Sequence, residues 1–218
     1  MAADVLVVGA GHNGLTCAAY LARAGLAVTV VECRGTVGGC ASTVDAVGAR
    51  VNICNCDHTM VLASGIVEEL GLAAHGLRYL DVDPVEVAVG WGGEPAFVQY
   101  RSVERTVAGL PPAVGAAYRR YVDATLPLAR LVLAAAAAPP SFGRLLRLAS
   151  PRTAAMLLAW RRRSLIDVLA AFGLPPWIQS AFAATGPGVW GVSPFAAGTA
   201  IAAAGPVVRH LAGVGRPA

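Results

Sequence analysis

Three glycines near the start of the chain have the spacing of a phosphate-binding turn. Gly9, Gly11 and Gly14 complete a G-x-G-x-x-G, in which the first glycine allows a tight turn, the second lets the backbone approach a pyrophosphate, and the third lets helix and strand pack closely. Glu32 follows about 20 residues later, where a carboxylate can accept hydrogen bonds from ribose hydroxyls. This acid argues against a 2′-phosphate, and so against NADP. The spacing predicts a dinucleotide site without separating NAD from FAD.

The elements around this turn must place the glycines and Glu32 together. Residues 5–8 are an apolar, β-branched run typical of a buried parallel strand. Residues 15–24 are helix formers, and Gly25 stands where a left-handed C-terminal cap is expected. Residues 27–31 predict a second strand that ends at Glu32. The order strand, glycine turn, helix, strand predicts a βαβ unit, whose helix N-terminus would face the phosphates.

A second glycine pair distinguishes between the two cofactors. Gly38 and Gly39 would let another loop cross close to the ligand, and Arg34 places a cation near it. The run from Glu32 resembles the pattern E-x-R-x-x-x-G-G of the flavoproteins of the amine-oxidase and phytoene-desaturase superfamily. Gly-His-Asn-Gly-Leu with Val-Gly-Gly-Cys-Ala is most similar to its phytoene-dehydrogenase-related branch. The resemblance is specific over residues 4–43 and weaker over residues 66–72 and 80–84.

This resemblance implies FAD as the cofactor and an α/β fold. A Rossmann-like FAD-binding part would occupy residues 1–78, and residues 79–218 would form part of a mainly helical α+β substrate domain. Glu32 would bind the adenosine ribose, Gly38 and Gly39 would follow the pyrophosphate and ribityl chain, and Arg34 would neutralise phosphate. The predicted cofactor-binding residues are Gly9, Gly11, His12, Asn13, Gly14, Glu32, Cys33, Arg34, Gly38, Gly39, Cys40 and Ser42.

The implied reaction removes two hydrogens from a C–C or C–N bond of a small, apolar substrate, with hydride passing to flavin N5. No acid–base constellation is evident in the sequence, which is compatible with flavin chemistry because the cofactor accepts the hydride. The catalytic residues stay unassigned.

The length departs from the resembled family, whose members are typically much longer than 218 residues. Their C-terminal half supplies the rest of the FAD site. Three hypotheses follow: a split enzyme completed by a second chain, which we favour; a truncated reading frame; or a non-catalytic nucleotide-binding module with a structural or regulatory role.

Charge is divided unevenly along the chain. Residues 1–110 hold 6 arginines and 11 acids, whereas residues 111–218 hold 11 arginines and 2 acids. This asymmetry predicts an acidic partner protein or an anionic membrane for the second half. Nucleic acid is disfavoured, since no binding motif accompanies the arginines. The five cysteines lack the spacing of a disulfide framework and no signal peptide precedes the first strand, so the cytoplasm is the expected location, with peripheral contact on the inner membrane face as a further hypothesis.

The remaining chain predicts few strands and many helices. We expect a strand and loop over residues 47–56, a helix over residues 59–70 closed by Gly71, and a hairpin of residues 85–89 and 95–100. From Ser102 onward the chain is predicted to be mainly helical, punctuated by prolines.

Residues 126–138 are apolar but too short to span a bilayer. One interpretation is a buried or partner-facing helix. The other is a monotopic membrane contact made with residues 142–160. Arginines lie within this second segment and directly after it: Arg144, Arg147, Arg152, Arg161, Arg162 and Arg163.

For several reactive side chains we predict a structural role and not a catalytic one. His12 is expected to pack or bond locally, and Cys40 to be a small buried residue. Cys54-x-Cys56 with Asp57 and His58 resembles metal spacing, but no second pair follows, so we predict no metal site. Asn52 and Cys54 stand near places where the superfamily often has Asp and Gly. Cys56 and His58 are candidates to approach the flavin.

Overall fold

The computed structural model describes residues 2–54, 57–90, 92–137 and 141–217, without the side chains of Phe142, Leu145 and Leu146. These residues form two units. The first comprises the chain up to His58, residues 66–79 and the last residues from Arg216, and the second comprises residues 59–65 and 80–215. The predicted domain boundary after residue 78 stays a prediction, and residues 59–65, which precede it, pack with the second unit.

A parallel βαβ element opens the first unit. β1 (Val5–Val8), α1 (His12–Arg23) and β2 (Val28–Val31) follow one another, and Val5 pairs with Val28 in the parallel ladder. α1 begins three residues earlier than predicted because the extended Gly11 already caps it. Gly25 has φ +89° and closes the helix as expected. β1 was expected to be buried, but Leu6 and Val8 are 60% and 81% exposed.

The region after the second glycine pair is a hairpin. β3 (Thr43–Ala46) and β4 (Ala49–Asn52) pair antiparallel. The single predicted strand over residues 47–56 is therefore wrong in its start, because Val47 and Gly48 form the turn with φ of +48° and +77°. Cys56 lies outside the described residues.

The predicted helix over residues 59–70 is two helices. α2 (Thr59–Ala63) and α3 (Ile66–Glu69) are separated at Gly65, whose φ of +76° a right-handed helix cannot hold. Gly71 has φ +63° and ends the second one as predicted, before a short 3₁₀ helix at Leu72–His75.

Strands are few in the rest of the chain. β5 is Tyr79–Asp81 and β8 is Gly215–Pro217. β6 (Glu86–Ala88) and β7 (Phe97–Gln99) pair antiparallel through Val87 and Val98, which confirms the predicted hairpin. Trp91 of its predicted turn lies outside the described residues.

Helices dominate the second unit, as predicted. Besides α2, they are α4 (Val103–Ala108), α5 (Pro112–Ala136), α6 (Phe142–Leu148), α7 (Pro151–Trp160), α8 (Leu165–Ala171), α9 (Pro176–Thr185) and α10 (Ala204–Ala212). Short 3₁₀ helices lie at Pro187–Trp190 and Thr199–Ala203.

The hydrophobic core of the second unit surrounds α5. Phe97, Tyr118, Tyr121 and Phe182 form a fully buried aromatic cluster there. The part of residues 126–138 that the structure describes is the C-terminal part of α5, where three side chains are buried: Leu128, Ala129 and Leu131. This segment is a core helix, which agrees with the first interpretation of the sequence and not with a membrane contact. Among the described residues, no helix has the length and hydropathy needed to cross a bilayer.

Candidate dinucleotide-binding site

The turn from β1 to α1 accepts only glycine at two of its positions. Gly9 has φ +98°, a backbone region that other residues rarely occupy, and its N–H donates to the Val31 carbonyl at 2.7 Å. A Cβ on Gly14 would lie 2.1 Å from the Gly9 carbonyl oxygen. Gly11 is extended and caps α1, so the N-terminal N–H groups of this helix point out of the turn. This geometry suits a phosphate.

The second glycine pair crosses the first turn at very short range. The Gly38 N–H donates to the Ala10 carbonyl at 2.8 Å, and Gly11 and Gly38 form a parallel bridge. A Cβ on Gly39 would lie 3.0 Å from the Gly11 Cα, and Gly38 and Gly39 have φ of +112° and +62°. Side chains here would fill the cradle between the two loops. Their absence lets the two loops meet backbone to backbone.

Glu32 connects the end of β2 to the same turn. Its Oε2 accepts from the Ala10 N–H at 2.7 Å, and its Oε1 accepts from the Arg34 N–H at 3.0 Å and from the Cys33 thiol. The hydrogen bond from Ala10, followed by that from Arg34, holds the pKa of Glu32 below its usual value. The side chain is therefore an anion at neutral pH. A carboxylate has about four acceptor positions, so capacity remains for ribose hydroxyls.

The other predicted site residues lie on the second loop or in the first turn of α1. Ser42 closes the second loop by donating to the Gly39 carbonyl at 2.7 Å. His12 and Asn13 lie in the first turn of α1, and the His12 Nδ1 lies 3.7 Å from the Cys40 Sγ, a local contact of the expected kind. Cys40 is exposed, so its prediction as a buried residue is wrong: it lies on the loop surface directly after the glycine pair.

His58 forms a second polar group in this unit. Its ring packs against Tyr79, with the Nδ1 2.9 Å from the Tyr79 hydroxyl. Burial lowers the pKa of His58 by more than the charge of nearby Asp57 raises it, so the ring is neutral at neutral pH. Its Nε2 is buried and has no partner among the described residues. The sequence pointed to His58 but not to Tyr79, because only the fold brings these positions together.

Cys54 and Asn52 belong to the described part of the cysteine-containing segment before His58. Among the described residues, no group of three His, Cys, Asp or Glu side chains could hold a metal ion. Cys54 is exposed, and its N–H donates to the Asn52 side chain at 3.2 Å. These two residues shape the end of the β3–β4 hairpin.

Parts of this chain are similar to known proteins. A model of the NAD(P)-binding Rossmann-like domain matches residues 7–65. A limonene dehydrogenase subunit of Castellaniella defragrans is 46% identical over 80 residues, which are 37% of this chain and 15% of that relative. Mouse pyridine nucleotide-disulfide oxidoreductase domain-containing protein 2 is 38% identical over 82 residues, 37% of this chain and 14% of the relative.

The solved structure of a putrescine oxidase variant has a similar fold. Its TM-score is 0.59 at 20% sequence identity, and the similarity covers 99% of this chain and 46% of the oxidase. The chain thus spans less than half of that oxidase and matches only a small part of the curated relatives. These similarities confirm the fold class: a Rossmann-like NAD(P)-binding domain in a mixed helix and strand chain, with an amine-oxidase-like fold over the whole length.

Proposed function

We propose that this chain binds FAD and is the cofactor-binding part of an oxidoreductase that removes two hydrogens from a C–C or C–N bond. The observation that carries the proposal is the crossing of two glycine turns, Gly11 over Gly38 and Gly39, beside the anionic Glu32. One glycine turn is sufficient for many nucleotides. A second turn at backbone contact distance suits a longer ligand that lies along both.

The residues fit the polar parts of FAD in order. Glu32 would accept from the adenosine ribose, and the N-terminus of α1 with Gly11 and Gly14 would face the pyrophosphate. Arg34 would add a neutralising charge, while Gly38, Gly39 and Ser42 would follow the ribityl chain. Bound FAD would supply the acceptor for hydride. The chain's own residues would bind and orient the cofactor and exclude water from it.

An apolar substrate and a second polypeptide segment belong to the same proposal. The similarity to one subunit of a limonene dehydrogenase supports both, and because limonene is a hydrocarbon it favours a C–C over a C–N bond. Leu6, Val8 and Val31 of the β1–β2 pair are exposed, whereas parallel sheets are normally covered on both faces. A partner segment packed on these side chains would complete the flavin-binding layer.

Flavin capture is the direct test. The chain would be purified alone and after co-expression with the product of the adjacent reading frame, and its visible flavin absorption and FAD affinity measured. We expect a yellow protein in at least one preparation. Glu32→Gln should weaken FAD binding by about tenfold, since one charge-assisted acceptor is lost. Glu68→Gln, an exposed glutamate on α3, is the matched control and should leave affinity unchanged.

Two results would contradict the proposal. Colourless preparations that bind no added FAD would favour a non-catalytic module instead. Binding of NADH in place of FAD, with the same sensitivity to Glu32→Gln, would support the location of the site but contradict FAD as its cofactor.

A further inference from the structure

The most exposed aromatic side chains among the described residues lie on one loop of the second unit. This segment, residues 186–198, is called here the aromatic loop. Trp190 is 69% and Phe195 73% exposed, and Val189 and Val192 are exposed beside them. Single exposed apolar side chains are ordinary on protein surfaces, but four within one short loop mark a surface that contacts something else.

Backbone hydrogen bonds hold the aromatic loop in a defined shape. Its first part is the 3₁₀ helix Pro187–Trp190, which ends at Gly191 with φ +66°. The Val192 N–H donates back to the Pro187 carbonyl at 3.0 Å, and the Ala196 N–H donates to the Ser193 carbonyl at 3.0 Å. The exposed aromatic side chains therefore belong to an ordered segment and not to a frayed end.

Three consecutive arginines are attached to the end of this loop. Arg161, Arg162 and Arg163 follow α7 and are called the arginine turn. The Gly198 N–H donates to the Arg163 carbonyl at 2.9 Å, and a Cβ on Gly198 would lie 3.8 Å from the Arg161 carbonyl oxygen. Leu158, one helical turn before Arg161, is exposed as well. The end of the aromatic loop thus contacts the backbone of the arginine turn directly.

Almost no acidic side chain offsets these arginines. Asp167 is the single acid in residues 141–218, which contain eight arginines. Its carboxylate accepts from the Ser164 N–H at 3.0 Å in a capping box. The described contacts of the arginine turn are instead to carbonyl oxygens: Arg161 donates to Leu158 and Arg163 to Asp167. The turn therefore keeps its positive charge.

We propose that the aromatic loop and the arginine turn dock this chain on a membrane surface that carries anionic lipids. Tryptophan and phenylalanine side chains enter the headgroup region, where the apolar ring is buried without removing polar groups from water, and arginines attract lipid phosphate. The excess of eight arginines over one acid in residues 141–218 favours an extended anionic surface such as a lipid bilayer over a partner protein. The docking surface does not include residues 126–137, because these residues pack into the core and cannot contact a membrane. It does not depend on bound FAD.

Vesicle co-sedimentation tests this surface with the full chain. The probes are vesicles of phosphatidylcholine alone and of phosphatidylcholine mixed with phosphatidylglycerol, at low salt. We expect binding only to the anionic vesicles, with a blue shift of tryptophan emission. Trp190→Phe should remove most of the shift while sedimentation persists, because the aromatic ring is retained.

Two sets of variants separate the arginines and the aromatic side chains. Replacing Arg161, Arg162 and Arg163 by Gln should weaken binding by roughly 100-fold, at about fivefold for each arginine near an anionic surface. The double variant Trp190→Ala with Phe195→Ala should weaken it by at least about tenfold. The matched controls are Arg23, Arg50 and Arg78 replaced by Gln, which remove the same charge elsewhere, and Val89→Ala, an exposed apolar position in the same unit. Circular dichroism would verify folding.

Several outcomes would overturn the inference. The first is no binding to anionic vesicles at low salt. A second is equal loss in the Arg23, Arg50 and Arg78 variant, which would indicate nonspecific attraction by net charge. A third is concentration-dependent self-association that Trp190→Ala with Phe195→Ala abolishes while vesicles are not bound, which would identify a protein interface.

Discussion

At the scale of single residues, the glycines of the candidate site differ in what they tolerate. Gly39 has a left-handed backbone and lies against Gly11, so a side chain there meets both backbone strain and a neighbouring main chain. Gly35 lies a few residues before Gly38 in the sequence, yet a Cβ on it would meet no atom within 4 Å. Comparing Gly39 with Gly35 therefore distinguishes a glycine that a close backbone contact requires from a glycine that is simply part of a loop.

Gly39→Ala is predicted to lower the free energy of unfolding by about 1–2 kcal/mol, from left-handed strain alone. It should also reduce FAD capture, because the loops separate. Urea unfolding and a flavin titration measure the two effects. Gly35→Ala is the control and should change neither quantity. Equal behaviour of the two variants would show that the glycine crossing does not form the site.

At the scale of elements, β6 and α10 are connected by a buried ion pair. Glu86 and Arg209 bond through side chains that are only 8% and 14% exposed, and the Thr185 hydroxyl bonds to both. Removing one partner leaves the other charge buried, which is far more costly than losing an exposed pair. Arg119 and Glu104 form such an exposed pair on α5 and α4.

Arg209→Ala is predicted to cost about 3 kcal/mol of unfolding free energy, within the range for breaking a buried pair. Replacing both partners, with Glu86→Gln and Arg209→Met, should cost less than Arg209→Ala alone. Arg119→Ala should cost under about 1 kcal/mol. Chemical denaturation of the three variants checks the order. If Arg119→Ala were as destabilising as Arg209→Ala, burial would not be the cause.

A second connection, between α5 and α10, predicts that the stability of the fold depends on pH. The buried Tyr118 hydroxyl bonds to the His210 Nε2 at 2.8 Å, and the His210 Nδ1–H donates to the Arg101 carbonyl at 3.0 Å. Burial lowers the pKa of His210 from its ordinary value of 6.5. The unfolded chain then binds this proton more readily than the folded one, so acid favours unfolding.

Stability should therefore fall as the pH drops from about 7.5 to about 5.5, through the pKa of the unfolded histidine. Urea midpoints across this interval measure the slope. His210→Gln removes this titratable group and should flatten the dependence of the urea midpoint on pH. His58, whose pKa burial also lowers, contributes with the same sign, so His58→Gln should remove a further part. A slope unchanged in the double variant would assign the effect to other groups.

At the scale of the whole molecule, the two units differ in how much apolar surface they bury. The core cluster lies entirely in the second unit, around α5 and α8. The buried apolar residues described in the first unit are Ala10 and Ala18, while Leu6 and Val8 are exposed. Burial of apolar area is the main stabilising contribution, so the first unit should open more readily.

Hydrogen exchange should reveal this difference directly. Amides of α5 and α8 are predicted to exchange slowest, and those of β1 and β2 markedly faster. Adding FAD, or a partner that covers β1 and β2, should slow exchange in the first unit through binding to the folded state. Protection of β1 equal to that of α5 in the unliganded chain would contradict the prediction.

Local signals in the sequence determined the βαβ unit, the glycine turns, Glu32 and the β6–β7 hairpin. Each depends on neighbouring residues, because strand periodicity, glycine backbone freedom and caps act within a few positions. The division of residues 59–70 at Gly65 was missed, since glycine is tolerated inside many helices and only the backbone angle identifies a break.

Tertiary structure alone decided which apolar segments face solvent. Residues 126–137 and the aromatic loop are both apolar, yet the first packs into the core and the second is exposed. Hydrophobic burial is not directional, and a segment is buried only where another element supplies a complementary face. The same reason explains the contact of Gly39 with Gly11 and the pairing of His58 with Tyr79. Separations of more than twenty residues carry no local signal, and folding brings those positions together.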